Sequence, residues 1–249
     1  MQIRDLLFPR KCVCCGAYLS DYDVSESERG NESNSGSEYA DVCSFCAETI
    51  VRVKPPYCPR CLRGKDSCRC YNQRPFAFDA LVAPFYYEGA VRNAIMRMKF
   101  DGKESVARFL GRELGAEVET RCFGVPFDIV TCVPASPESL ASRGFNQSRS
   151  IAENLGLSSG TFPFIVPDYN LLVKRRSADV QHRLGAGGRL RNIAGSFEIS
   201  RNRDVVGKTI LLVDDIVTTG ATADECTRVL KFAGADKVLL ATAALTRYN

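Results

Sequence analysis

The chain has 249 residues, a formal net charge of +4, 45% hydrophobic content and 25% charged residues. This is an ordinary composition for a globular fold, and the charge is too small to imply nucleic-acid binding by itself. No apolar run approaches the roughly 20 residues needed to span a bilayer, and Met1 to Pro9 is too short and too charged for a secretory signal, so a cytoplasmic location without membrane insertion is expected.

Nine of the twelve cysteines fall between Cys12 and Cys70. Cys12 with Cys15, Cys43 with Cys46, and Cys58 with Cys61 form CxxC pairs, and Cys68 with Cys70 forms a tighter CxC. In a reducing compartment clustered thiols read as metal ligands before disulfides. Each short loop presents two thiolates to a tetrahedral ion, and two loops complete a four-sulfur site. The expectation is two structural Zn²⁺ ions, with Cys14 left over. The pairing of loops, sequential or interleaved, stays open. A redox CxxC is the rival reading, but that motif is single and sits in a βαβ context. This module, residues 1–75, is too small to fold on an apolar core, so metal should supply its stability. It is either a cap on the body or a surface for nucleic acid. Within it, residues 21–41 turn to Ser, Glu, Gly and Asn and are expected to form a disordered acidic insert.

The periodicity changes from about Phe76, and residues 76–249 read as one α/β body. Leu81 to Tyr87 reads as a strand. Val91, Ile95, Met98 and Phe100 mark a short amphipathic helix, and Val106, Leu110, Leu114 and Val118 a second over Lys103 to Arg121. Asp128 to Pro134 reads as a buried strand and Phe145 to Leu155 as helix. Thr209 to Val213 and Lys237 to Leu245 read as strands around a helix over Thr222 to Phe232. Such alternation implies a mostly parallel sheet covered on both faces, with its site at the carboxyl ends of the strands. Cys122, Cys132 and Cys226 stand in apolar contexts and are expected in the core.

Between 139 and 191 the chain is basic, with Arg143, Lys174, Arg175, Arg176, Arg189 and Arg191. Residues 210–222 read ILLVDDIVTTGAT: an apolar run, the carboxylates Asp214 and Asp215, then Thr218, Thr219, Gly220, Ala221 and Thr222 leading into a helix. The loop aims backbone N–H groups and hydroxyls at one point, and the helix dipole adds positive potential there, which suits a phosphate. The carboxylates suit sugar hydroxyls or a hydrated divalent metal. Together these describe a phosphorylated ribose. No Walker GxxxxGK[ST] occurs, and Gly185 to Gly188 is not continued as a dinucleotide fingerprint.

The 210–222 segment resembles the phosphoribosyl-pyrophosphate (PRPP) motif of type I phosphoribosyltransferases. The resemblance narrows with Tyr87-Glu88-Gly89, Lys99-Phe100 and Gly102, Arg143-Gly144-Phe145-Asn146-Gln147, Gln181, Arg191-Asn192 and Gly195-Ser196-Phe197. With the cysteine module these look like the ComF family over nearly the whole chain. The resemblance implies a double zinc ribbon ahead of a type I phosphoribosyltransferase-like domain, and a link, in some members, to uptake of single-stranded DNA. It implies that Asp214 and Asp215 hold the ribose hydroxyls, that Thr218 to Thr222 bind the 5-phosphate, and that Lys99 serves PRPP. Arg143, Lys174, Arg176 and Arg191 are the expected pyrophosphate clamps, with Mg²⁺ accompanying PRPP. The chain departs from the family at Thr131 to Pro134, at Lys174 where Arg is common, at the Cys68–Cys70 spacing, and in its longer insert. Two functions follow: phosphoribosyl transfer with release of pyrophosphate to an unknown acceptor, or a non-catalytic PRPP- or nucleotide-binding protein that handles single-stranded DNA. No purine- or pyrimidine-specific signal is visible, and His182, the single histidine, is assigned no role. Nothing in the chain gives an oligomeric state.

Overall fold

The computed structural model describes residues 10–19, 39–63, 68, 70, 76–158, 160–175 and 195–247. The main sheet is parallel throughout. Its strands are β1 (Ala80–Val82), β2 (Phe85–Tyr86), β3 (Ile129–Cys132), β4 (Val166–Pro167), β7 (Thr209–Val217) and β8 (Lys237–Leu245). The order is β1-β8-β7-β3-β4, and β2 also pairs with β8. The strand expected over Leu81 to Tyr87 is therefore two short pieces on the same edge of β8, with Ala83 and Pro84 between them. Proline cannot donate to a ladder, so the interruption falls where the chemistry requires it.

The helices are α1 (Ser44–Ala47), α2 (Gly89–Asp101), α3 (Glu104–Arg121), α4 (Pro137–Arg143), α5 (Gln147–Ala152) and α6 (Ala221–Phe232). Two apolar layers cover the sheet. Leu211 and Val213 of β7 face one layer with α2, α3 and α5; Ile210 and Leu212 face the other with α6. This is why β7 and β8 read as almost continuous apolar runs: a central parallel strand is buried on both faces. A small antiparallel sheet pairs β5 (Leu172–Lys174) with β6 (Phe197–Ile199). Cys122, Cys132 and Cys226 are 2%, 1% and 0% exposed, as expected of core thiols.

One apolar layer holds residues from both sides of position 75. Cys12, Val13, Cys14, Val42 and Cys46 belong to the same apolar layer as α2 and α3. Tyr39, inside the stretch expected to be disordered, is 4% exposed and meets Phe85 and Phe109 edge-on. An aromatic ring among Ser, Glu and Gly is enough to anchor the end of that stretch, because its burial offsets the ordering entropy that the polar residues cannot. Residues 20–38 lie outside the described residues.

Candidate functional site

The β7 strand runs four residues beyond its expected end, so Asp214 and Asp215 lie within it and not in the loop. The next residues, Thr218 and Thr219, are exposed, and Gly220 caps α6 with a φ of +80°. A Cβ at Gly220 would come within 2.9 Å of the Phe76 ring, which stacks on Phe78 at 4.7 Å. Both the left-handed backbone and the ring behind it therefore call for glycine here. The Phe76 ring thus supports the loop from behind. The Thr219 hydroxyl accepts from Ala221 N–H at 3.3 Å, and Thr246 N–H donates to the Val217 carbonyl at 3.0 Å, fixing the loop to β8.

Beside the end of β7, the RGFNQ motif forms a bracket. Asn146 caps α5, accepting from Ser148 N–H at 3.0 Å, and its amide donates to the Val133 carbonyl at 3.0 Å. One side chain thus ties the end of β3 to the start of α5. Ser148 then donates its hydroxyl proton to Asp214 Oδ1 at 2.9 Å. Arg143 Nη1 donates to Gln147 Oε1 at 3.2 Å, which orients the guanidinium. Asp215 Oδ2 lies 2.7 Å from Lys99 Nζ, near the end of α2.

These groups surround one cavity of about 230 Å³. Lys99, Arg143, Asp214, Asp215 and residues 218–222 all line it, together with Ser139 and Ser148. Lys174 does not: it lines a neighbouring groove with Arg149 and Tyr169 that meets the cavity at Pro134, Ala135 and Asn146. Lys174 is held away by β5, where its Nζ lies 5.5 Å from the Phe197 ring centre. Arg176, Gln181, His182, Arg189, Arg191 and Asn192 lie outside the described residues. Asp214 is 8% exposed, and burial, followed by the charge of Asp215, pushes its carboxyl up to about 7. The cavity thus pairs an acidic end, half-neutralised by Lys99, with a loop of amides and hydroxyls at a helix N-terminus. It can accept hydroxyl donors at one end and an anion at the other.

Ser148 and Asn146 escaped the sequence reading as site residues. Their signal was present, since Asn146-Gln147-Ser148 opens a helix with a good cap, but nothing local points a serine at a carboxylate 66 residues away.

The cysteines gather in sequential pairs. Cys12, Cys15, Cys43 and Cys46 form one group and Cys58, Cys61, Cys68 and Cys70 another, each with its sulfur atoms within 4.8 Å of one another. Sulfur separations are 3.8 Å for Cys15–Cys43, 3.9 Å for Cys58–Cys70 and 3.7 Å for Cys61–Cys68. Thiolates about 2.3 Å from a tetrahedral ion stand about 3.8 Å apart, so both groups fit a metal and are far too open for disulfides. The CxC loop takes part like the CxxC loops. Cys14, fully buried, stays in the core. No helix among the described residues is long and apolar enough to cross a membrane.

Residues 155–247 match the phosphoribosyl transferase domain family. The chain is 29% identical over 239 residues to competence protein ComFC of Streptococcus pneumoniae, covering 92% of this chain and 96% of that protein. It is 26% identical over 208 residues to competence protein F of Haemophilus influenzae, covering 79% and 87%. Among solved structures, the allosteric regulatory enzyme of purine biosynthesis is similar at 20% identity and a TM-score of 0.36, over 59% of this chain and 30% of that one. DNA utilization protein YhgH of Salmonella typhi is 31% identical over 204 residues, covering 79% of this chain and 87% of that protein. With two four-cysteine groups that fit a double zinc ribbon ahead of a phosphoribosyltransferase-type sheet, the chain belongs to the ComF family.

Proposed function

We propose that the cavity binds PRPP and that the protein transfers the phosphoribosyl group to an acceptor, releasing pyrophosphate. The observation that carries this is the cavity in which Asp214, Asp215, Lys99, Arg143 and the 218–222 loop face one another. The loop amides and hydroxyls hold the 5-phosphate. Asp214 and Asp215 accept from the ribose hydroxyls and so orient the ring. Lys99 and Arg143 offer cationic charge to the pyrophosphate as it departs, when charge develops on it and on the ribose ring. Lys174, in the adjoining groove, serves only a group that extends past Pro134. Mg²⁺ bound with PRPP would neutralise pyrophosphate charge, and Asp214 and Asp215 are the oxygen donors in the cavity suited to its hydrated ion. Zn²⁺ is the metal that fits the two four-sulfur groups, and such reduced thiols suit a cytoplasmic protein.

Calorimetric titration of PRPP with Mg²⁺ tests this reading, with an Asp214→Asn, Asp215→Asn variant beside the wild type. Binding that is lost in the variant supports the site and opens a screen of acceptors for pyrophosphate release. Absence of binding to folded wild type removes the transferase reading.

A second reading is that the protein handles single-stranded DNA without transfer. Its relatives carry the names DNA utilization protein and competence protein. Tyr18 and Phe45, 64% and 75% exposed, stand on the thiol-rich module, with Lys11 Nζ 4.7 Å from the Tyr18 ring centre. Exposed rings, with a cation beside Tyr18, suit base stacking and phosphate contact. This reading predicts binding of a single-stranded oligonucleotide that weakens steeply with salt and is insensitive to the Asp214→Asn, Asp215→Asn change.

A further inference from the structure

The C-terminal end of α2 is held from two sides. Arg97 Nη1 donates to the carbonyls of Cys12 and Val13, each at 2.8 Å. Those carbonyls belong to the Cys12–Cys15 loop, whose turn is closed by Gly16 N–H on the Cys12 carbonyl at 2.9 Å and by Cys43 N–H on Cys12 Sγ at 3.4 Å. The guanidinium fits so closely that a Cβ on Gly16 would lie 2.9 Å from Arg97 Nη2. Two residues further along the same turn, Lys99 reaches Asp215 at 2.7 Å. Residues two apart on a helix point about 200° away from each other, so Arg97 faces the thiol group while Lys99 faces the cavity. The helix ends immediately after, at Gly102 in the left-handed conformation. A rigid turn with a partner on each side transmits the position of one to the other.

We propose that Arg97 is a positioning residue through which the metal in the Cys12, Cys15, Cys43, Cys46 group sets Lys99, and with it the affinity of the cavity for PRPP. The proposal deepens, and rests on, the reading of the cavity as a PRPP site. The metal fixes the Cys12–Cys15 loop because two of its thiolates are ligands; the loop carbonyls fix the Arg97 fork; and the fork fixes the turn that carries Lys99. Loss of metal or of Arg97 lets that turn relax, and Lys99 no longer meets Asp215. The ribbon is then a regulator of the phosphoribosyl site that answers to metal and to thiol oxidation, which removes thiolate ligands.

The test uses the zinc-loaded full chain and a double-mutant cycle. Arg97→Ala and Lys99→Ala are each expected to weaken PRPP–Mg²⁺ binding about tenfold, with both metals retained. The double variant is expected to lose no more than the weaker-binding single variant, because Arg97 acts through Lys99. A merely structural arginine gives additive losses; that result, or wild-type affinity in Arg97→Ala, overturns the proposal. A second arm needs no PRPP. Zinc affinity is measured by competition with a chromogenic chelator at equilibrium in wild type, Lys99→Ala and Asp215→Asn. Coupling is reciprocal in free energy, so both variants are expected to hold the zinc of the Arg97-linked group several-fold more weakly. Unchanged zinc affinities overturn the coupling even if wild type fails to bind PRPP, an outcome that would separately remove the reading of the site.

Discussion

Asp214 is held where an ionised carboxylate is costly: 8% exposed and beside Asp215, with the Ser148 hydroxyl, the Asp215 N–H and the charge of Lys99 to stabilise its ionised form. Its carboxyl is pushed up to about 7, mainly by burial, against 3.8 for an ordinary aspartate. Between those values the folded state holds a proton that the unfolded chain has lost, so this group's contribution to stability falls as pH rises from about 4 to 7. Asp214→Asn should therefore raise stability at pH 8 by on the order of 2 kcal/mol, less than the full shift implies because the amide is buried too. The gain should vanish by pH 4, which thermal melts at both pH values would show. Ligand binding should run the other way. Sugar hydroxyls that donate to Asp214 need its ionised form, so binding below about pH 7 should release a proton and weaken as pH falls. Titrations in two buffers of different ionisation enthalpy measure that proton directly.

At the scale of elements, short segments do more positioning than long ones. The six-residue helix α5 places Ser148 against Asp214, and Asn146 anchors it at both its cap and the β3 end. Asn146→Ala removes a cap and a bond to the Val133 carbonyl. It is expected to cost about 1–2 kcal/mol in denaturant melts and to weaken PRPP binding through the displaced Ser148. The long elements were legible beforehand: α3 begins one residue from its expected start, and β8 covers Lys237 to Leu245 as read. Their signal is an apolar period sustained over many residues. The short ones were not. Helix α4 escaped although Ser136 caps it, Pro137 opens it and Gly144 closes it, because seven residues hold too few apolar positions to set a period. The small β5–β6 sheet escaped because antiparallel partners about 25 residues apart leave no local trace. Within the site, the carboxylates and the phosphate-type loop were readable as a contiguous motif. The separation of Lys174 from the cavity was not, since it depends on which way β5 faces.

At the scale of the whole molecule, the thiol-rich module and the body share one apolar layer. Arg52 reinforces it, bonding the Tyr39 hydroxyl and Glu113 while lying 5.2 Å from the Phe85 ring centre. A module that contributes Val13, Cys14, Tyr39 and Val42 to a common core is expected to unfold together with the body. Stripping the metals with a chelator is expected to lower the melting temperature of the entire protein in a single calorimetric transition. Two separate transitions would show instead that the halves are energetically independent.

The pairing of β1 with β8 sets a timetable for biosynthesis. Ala80 waits for Leu239 before its strand has a neighbour, and Asp214 is made only just before its own neighbour Thr242. At roughly 5–20 residues per second the first edge of the sheet stands unpaired for on the order of 10–30 s. Throughout that interval the four-sulfur loops have already emerged, and a captured ion is a long-range tie that the nascent chain can make without its final strands. Starvation for zinc would therefore be felt first by ribosome-bound and newly released chains, as aggregation of new protein, while molecules already folded kept theirs.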